Sequence, residues 1–238
     1  LLVWAASALV LAVHLFDGNL VMAKQAVDIE QQVEQAFRAA REGEFGHISQ
    51  LPALGPRVAP LLAPYLRDDR ADIRREAVVV LAAVGGKAAL PLLLEALGDP
   101  DADIRERTAR ALYTRYKPTT LARDKAAGSA LRASVLAGNH AAACLLLLGY
   151  FPATENEQAL RAVVEGFGAE RTKLSDWGPV VAVALPAQVA LSQLGDGAAR
   201  EALLQTIDRA SVADMEFFLS VLRDIDSPTV LHAIKKAL

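Results

Sequence analysis

The chain has 238 residues, of which 53% are hydrophobic and only 5% aromatic, so it has ample apolar material for a continuous core and size places no limit on the fold. Its net charge of −3 comes from 25 basic and 28 acidic residues spread along the chain; without a polybasic tail or an acidic block, nucleic acid is excluded as an expected partner. The Ala- and Leu-rich composition points to an all-α protein, and a single cysteine, Cys144, excludes an internal disulfide.

From the N-terminus, Leu1 to Phe16 reads LLVWAASALVLAVHLF, with no acid, Lys or Arg before Asp17. Such a run is membrane-directed, although it falls a little short of the roughly 20 residues that span a bilayer as a helix. The chain starts at Leu1 rather than Met, so further upstream residues are expected. Two readings fit the segment: the apolar region of a cleavable signal peptide, with Val21-Met22-Ala23 as its cleavage site, or a retained anchor. The anchor reading is carried forward. It makes residues 1–23 an anchor or signal segment and residues 24–238 a separate helical domain, membrane-anchored and outside the cytoplasm; cleavage would instead give a secreted chain. His14 is expected at the interface, and Trp4 as an interfacial or lipid-facing anchor.

Val27 to Arg41 and Arg57 to Leu66 follow as a degenerate first helix pair. The strongest internal signal comes next. Asp68-Asp69-Arg70-Ala71-Asp72-Ile73-Arg74 is echoed by Asp99-Pro100-Asp101-Ala102-Asp103-Ile104-Arg105, an offset of 31 residues from Ile73 to Ile104, and Leu66 pairs with Leu97 and Leu81 with Leu112 at the same spacing. A period of this size, filled by two amphipathic helices and a short turn, marks an α-solenoid. Asp72 and Asp103 stand where the apolar stripe begins and are expected to start the helices. Ile73, Ala77, Val80, Leu81 and Val84 form one core stripe, Ile104, Thr108, Ala111 and Leu112 its repeat. Gly85-Gly86 ends the first helix, and Ala88 to Leu97 is the second.

Beyond Lys117 the pattern weakens. Lys117 to Gly138, with Pro118 and Gly128, is an irregular second-helix position. Asn139 to Tyr150 with Glu155 to Phe167 makes a further pair, turning at Pro152, and Pro179 to Leu194 with Gly197 to Arg209 another, turning at Leu194-Gly195-Asp196. Val212 to Ile225 with Ser227 to Leu238 closes the chain. This gives an α-solenoid of about six helix pairs preceded by an apolar N-terminal helix.

Candidate chemistry is sparse. His14, His47, His140 and His232 are isolated from one another, and the glycine pairs follow no strand, so neither a metal site nor a phosphate cradle is expected. Cys144 reads as a small core residue. Tyr113, Arg115 and Tyr116 join aromatics to a cation at a helix end and are interaction candidates; capping cations and partly buried tyrosines explain the same residues. Trp177, in the polar stretch Gly168 to Gly178, is either a fourth candidate or a cover for the apolar helix after it.

The block over residues 55 to 116 resembles the HEAT-like repeat of phycobilisome (bilin) lyases, with an Asp-x-x-x-[Ile/Val]-Arg-x-x-Ala core. In that family the Asp and Arg positions form a ladder between adjacent repeats, so the resemblance implies the same for Asp72, Arg74, Asp103 and Arg105. The expected function is a protein-binding scaffold, an accessory subunit or assembly factor of a membrane-associated complex, without catalysis and without a cofactor. Its partners are other proteins or membrane-complex subunits, with the membrane itself engaged through residues 1–16. The resemblance also implies an alternative, lyase-like or chaperone handling of a tetrapyrrole.

Overall fold

The computed structural model describes residues 28–168 and 183–209. The apolar segment Leu1 to Phe16, Trp177, and the pair drawn over Val212 to Leu238 lie outside the described residues. Every regular element among the described residues is a helix. None of these helices is long and apolar enough to cross a membrane. The chain divides into two compact units, one ending at Leu92 and the other beginning at Leu93.

In the first unit, residues 28–41 form α1, which buries Val33, Ala36, Phe37 and Ala40, the i, i+3, i+4, i+7 stripe of an amphipathic helix. The expected partner helix over Arg57 to Leu66 does not form as an α-helix. Three 3₁₀ segments, Phe45–Leu54, Pro56–Leu62 and Tyr65–Arg67, take its place. Pro52, Pro56, Pro60 and Pro64 recur at every fourth position. Each lacks a donor, and its ring would collide with the carbonyl four residues back. An α-helix would therefore fail once per turn, whereas i→i+3 winding broken at Gly55 (φ 79°) accommodates all four. Helix α2 (Ala71–Val84) packs on all three 3₁₀ segments and buries Ile73, Ala77, Val78, Val80 and Leu81. It ends at Gly85, whose φ of 62° turns the chain into α3 (Gly86–Ala96).

The second unit contains α4 (Ala102–Arg115), the short α5 (Pro118–Leu121), α6 (Lys125–Leu136), α7 (Ala142–Leu148), α8 (Thr154–Gly168), α9 (Leu185–Gln193) and α10 (Gly197–Arg209). Helix α7 is shorter than the expected Asn139 to Tyr150 because Asn139 is used otherwise. Its amide donates to Ser134 Oγ at 2.9 Å, and Ser134 in turn donates to the Leu97 carbonyl at 2.7 Å. This buried network satisfies polar groups that would otherwise each cost about 1–3 kcal/mol. Cys144 to Leu148 are all buried, as an all-apolar helix must be, and α4, α6 and α9 pack against α7. Full burial of each of Leu145 and Leu147 contributes about 1.5–3 kcal/mol.

Helix starts correct one sequence expectation. Asp103 lies inside the first turn of α4, and the N-cap is Asp101, which accepts from the amides of Asp103 and Ile104. Likewise Arg70, not Asp72, occupies the N-cap of α2, where no side chain caps. Asp124 and Asp196 cap α6 and α10 in the Asp101 manner, each accepting two backbone N–H groups.

Candidate functional site

The two copies of the repeat motif build the same turn. Asp68 Oδ1 accepts from the Arg70 amide at 3.0 Å, and Asp99 Oδ1 from the Asp101 amide at 2.8 Å. In each copy the motif arginine then closes the turn. Arg74 Nη1 donates to the carbonyls of Asp68 and Asp69 at 2.9 and 3.2 Å; Arg105 Nη1 donates to those of Asp99 and Pro100 at 2.8 and 2.9 Å. Asp72 is paired with Arg70 through two hydrogen bonds, of 3.1 and 2.5 Å. Asp103 pairs with Arg107 at 2.8 Å along α4. Each of the four motif residues thus has a partner inside its own repeat. The Arg70 guanidinium beside Asp72 holds that carboxyl below the usual carboxylate range.

The first copy carries an addition that sequence reading missed. Arg41, the last residue of α1, reaches Asp68 Oδ2 at 2.6 Å, and Arg70 Nη1 donates to the Arg41 carbonyl at 2.6 Å. A cation thereby satisfies a free carbonyl at the negative end of α1. Tyr65 completes the cluster, stacked on Phe37 with ring centroids 3.8 Å apart and with the Arg41 guanidinium 5.8 Å from its ring centroid. Burial raises the Tyr65 phenol, against the opposing charge of Arg41. This arrangement ties the end of α1 to the start of α2. The only sequence signal for it was the run of charges at Asp68-Asp69-Arg70, and nothing local pointed to Arg41.

In the second unit, Tyr113 and Arg115 lie in the last turn of α4 and Tyr116 is its C-cap. Tyr113 and Tyr116 are half-buried and Arg115 is exposed; burial raises the Tyr116 phenol. The outer face of α4 continues with the exposed pair Glu106 and Arg110, 2.8 Å apart. Trp177 lies outside the described residues. Near the α9–α10 turn, Arg161 of α8 places a guanidinium nitrogen 2.6 Å from Asp196 Oδ2. Cys144 is fully buried and its thiol is pushed up to about 12 by burial, so it is not a nucleophile in the folded chain. Among the described residues no group of three or more His, Cys, Asp or Glu side chains could hold a metal ion.

No curated protein and no solved structure matches this chain. A family described as HEAT repeats matches residues 58–141, the stretch from the second 3₁₀ segment through α6. Together with the all-helical described residues, this match supports an all-α solenoid with HEAT-like repeats over residues 58–141.

Proposed function

We propose that the chain is a protein-binding scaffold, an accessory subunit or assembly factor of a membrane-associated complex, with its repeats outside the cytoplasm. The observation that carries this reading is the HEAT-repeat match over residues 58–141, because repeats of this kind generally mediate protein–protein interaction through helix faces held at fixed spacing. The C-terminal end of α4 supplies the proposed contact: aromatic and arginine side chains on a rigid element are the residue types that dominate interface energetics. The membrane component rests on the apolar sequence Leu1 to Phe16.

The test is purification of the tagged full chain from membranes in mild detergent. Co-purification of a stoichiometric protein partner, weakened by Arg115→Glu and Tyr116→Ala in variants with unchanged melting curves, is the expected result. A chain that purifies alone would sink the scaffold reading. The tetrapyrrole alternative rests on the bilin-lyase likeness alone, and pigment absorbance travelling with the isolated chain would put it first. The inter-repeat ladder of Asp72, Arg74, Asp103 and Arg105 is part of the proposal. A double-mutant cycle on Arg74→Ala and Asp103→Ala gives a coupling of roughly 0.5 kcal/mol or more if it exists, and none if each residue serves only its own turn.

A further inference from the structure

A second surface lies in the first unit, where α1 and the first 3₁₀ segment enclose a groove of about 260 Å³. One wall carries Gln32 and Gln35 of α1, the other His47 and Gln50, and Leu51 and Leu54 also line it. Gln32, Gln35, His47 and Gln50 are exposed. No Asp, Glu, Lys or Arg lines the groove, although α1 beside it carries the ion pair Glu34–Arg38.

We propose that this groove binds an extended, uncharged polypeptide segment through its main chain, an inference that rests on the scaffold reading and names the kind of partner. A glutamine amide offers a donor and an acceptor together, which is what a backbone peptide group also presents. Gln32 and Gln35 are three residues apart on α1, so their side chains are spaced by roughly 5–6 Å. His47 and Gln50 are three apart on a 3₁₀ helix, where i and i+3 eclipse and the rise between them is about 6 Å. An extended chain turns the peptide groups of one edge outward at every second residue, about 6.8 Å apart. Two rows of near-matching period therefore suit one strand laid between them, with apolar side chains reaching the part-exposed Leu54. The absence of charged groups disfavours a charged peptide, which would be stripped of water without compensation. The volume lies below the roughly 300–1,000 Å³ of small-molecule sites, and no Phe, Tyr or Trp lines the groove to receive a sugar face.

The experiment selects random twelve-residue peptides displayed on phage against the full chain in mild detergent, then titrates the enriched sequence as a synthetic peptide. The expected result is an uncharged sequence that binds at least tenfold more weakly to the Gln35→Ala/Gln50→Ala double variant and to Gln35→Glu, all three chains melting alike. Hydrogen-exchange protection by the peptide should fall within residues 28–54. Failure to enrich any peptide, enrichment of charged peptides only, binding unchanged by the substitutions, or binding of cellohexaose in place of peptide would each overturn the proposal. The co-purification experiment separates this outcome from the broader reading: a partner that still co-purifies while peptide binding is absent or unchanged by the substitutions leaves the scaffold standing and the groove fallen.

Discussion

Gly149 faces Ala190 where α7 meets α9. A methyl group added to Gly149 would stand 2.7 Å from the Ala190 Cα, 2.9 Å from its Cβ and 2.5 Å from Gln193 Oε1. The Gly149 backbone is ordinary helical, φ −62° and ψ −12°, so space and not conformation demands glycine. Gly149→Ala should destabilise by about 1–3 kcal/mol, the usual cost of overpacking. Gly166→Ala in α8, where a Cβ meets nothing within 4 Å, should be neutral or stabilising by up to about 1 kcal/mol. Thermal melts of the two variants check this, and equal effects would mean that α7 and α9 are not in close contact.

Asp101 and Asp103 separate capping from charge. Asp101→Ala removes the acceptor of two backbone amides and should cost about 1 kcal/mol in urea unfolding. Asp103→Ala removes an exposed pair with Arg107, with about 0.3–0.5 kcal/mol expected. A loss at Asp103 as large as that at Asp101 would point to the inter-repeat ladder.

Asp68 makes stability depend on acid. Burial alone would raise its carboxyl, but hydrogen bonds from the Arg41 side chain and the Arg70 amide, with both guanidinium charges, outweigh this and hold it below the usual range. A carboxyl depressed in the folded state contributes stability that is fully present above its unfolded value, about pH 4, and lost as pH falls through the lower folded value. Asp68→Asn should therefore cost about 1 kcal/mol at neutral pH, the half-exposed Arg41 being screened. The gap to the unaltered chain should close as pH drops below about 4. Urea midpoints for the two chains across that range decide it; a gap independent of pH would remove Asp68 from this role.

Cys144 should resist alkylation. With its thiol fully buried and pushed up to about 12, almost no thiolate exists at neutral pH. Iodoacetamide should leave the native chain unmodified over hours and label it within minutes in urea, read by intact mass. Rapid labelling of native protein would show that α7 is exposed.

What could be read along the chain was whatever depends on neighbours within one or two helical turns. The 31-residue offset from Ile73 to Ile104, the stripe from Ile73 to Leu81, the stop at Gly85 and the turn at Leu194-Gly195-Asp196 reappear in the structure, because apolar spacing and glycine's access to positive φ are local properties. The proline spacing from Pro52 to Pro64 was equally local, yet apolar content over Arg57 to Leu66 pointed to a helix that a missing donor at each turn forbids. Other features came from packing. Asp101 rather than Asp103 caps α4 because the chain's entry direction brings the Asp101 carboxylate to the free amides. Arg41 meets Asp68 at a separation of 27 residues, and Gly149 meets Ala190 across a longer span still. Side chains so far apart in sequence become neighbours only when helices bury their stripes against one another, and no period within a single segment encodes which partner face will be there.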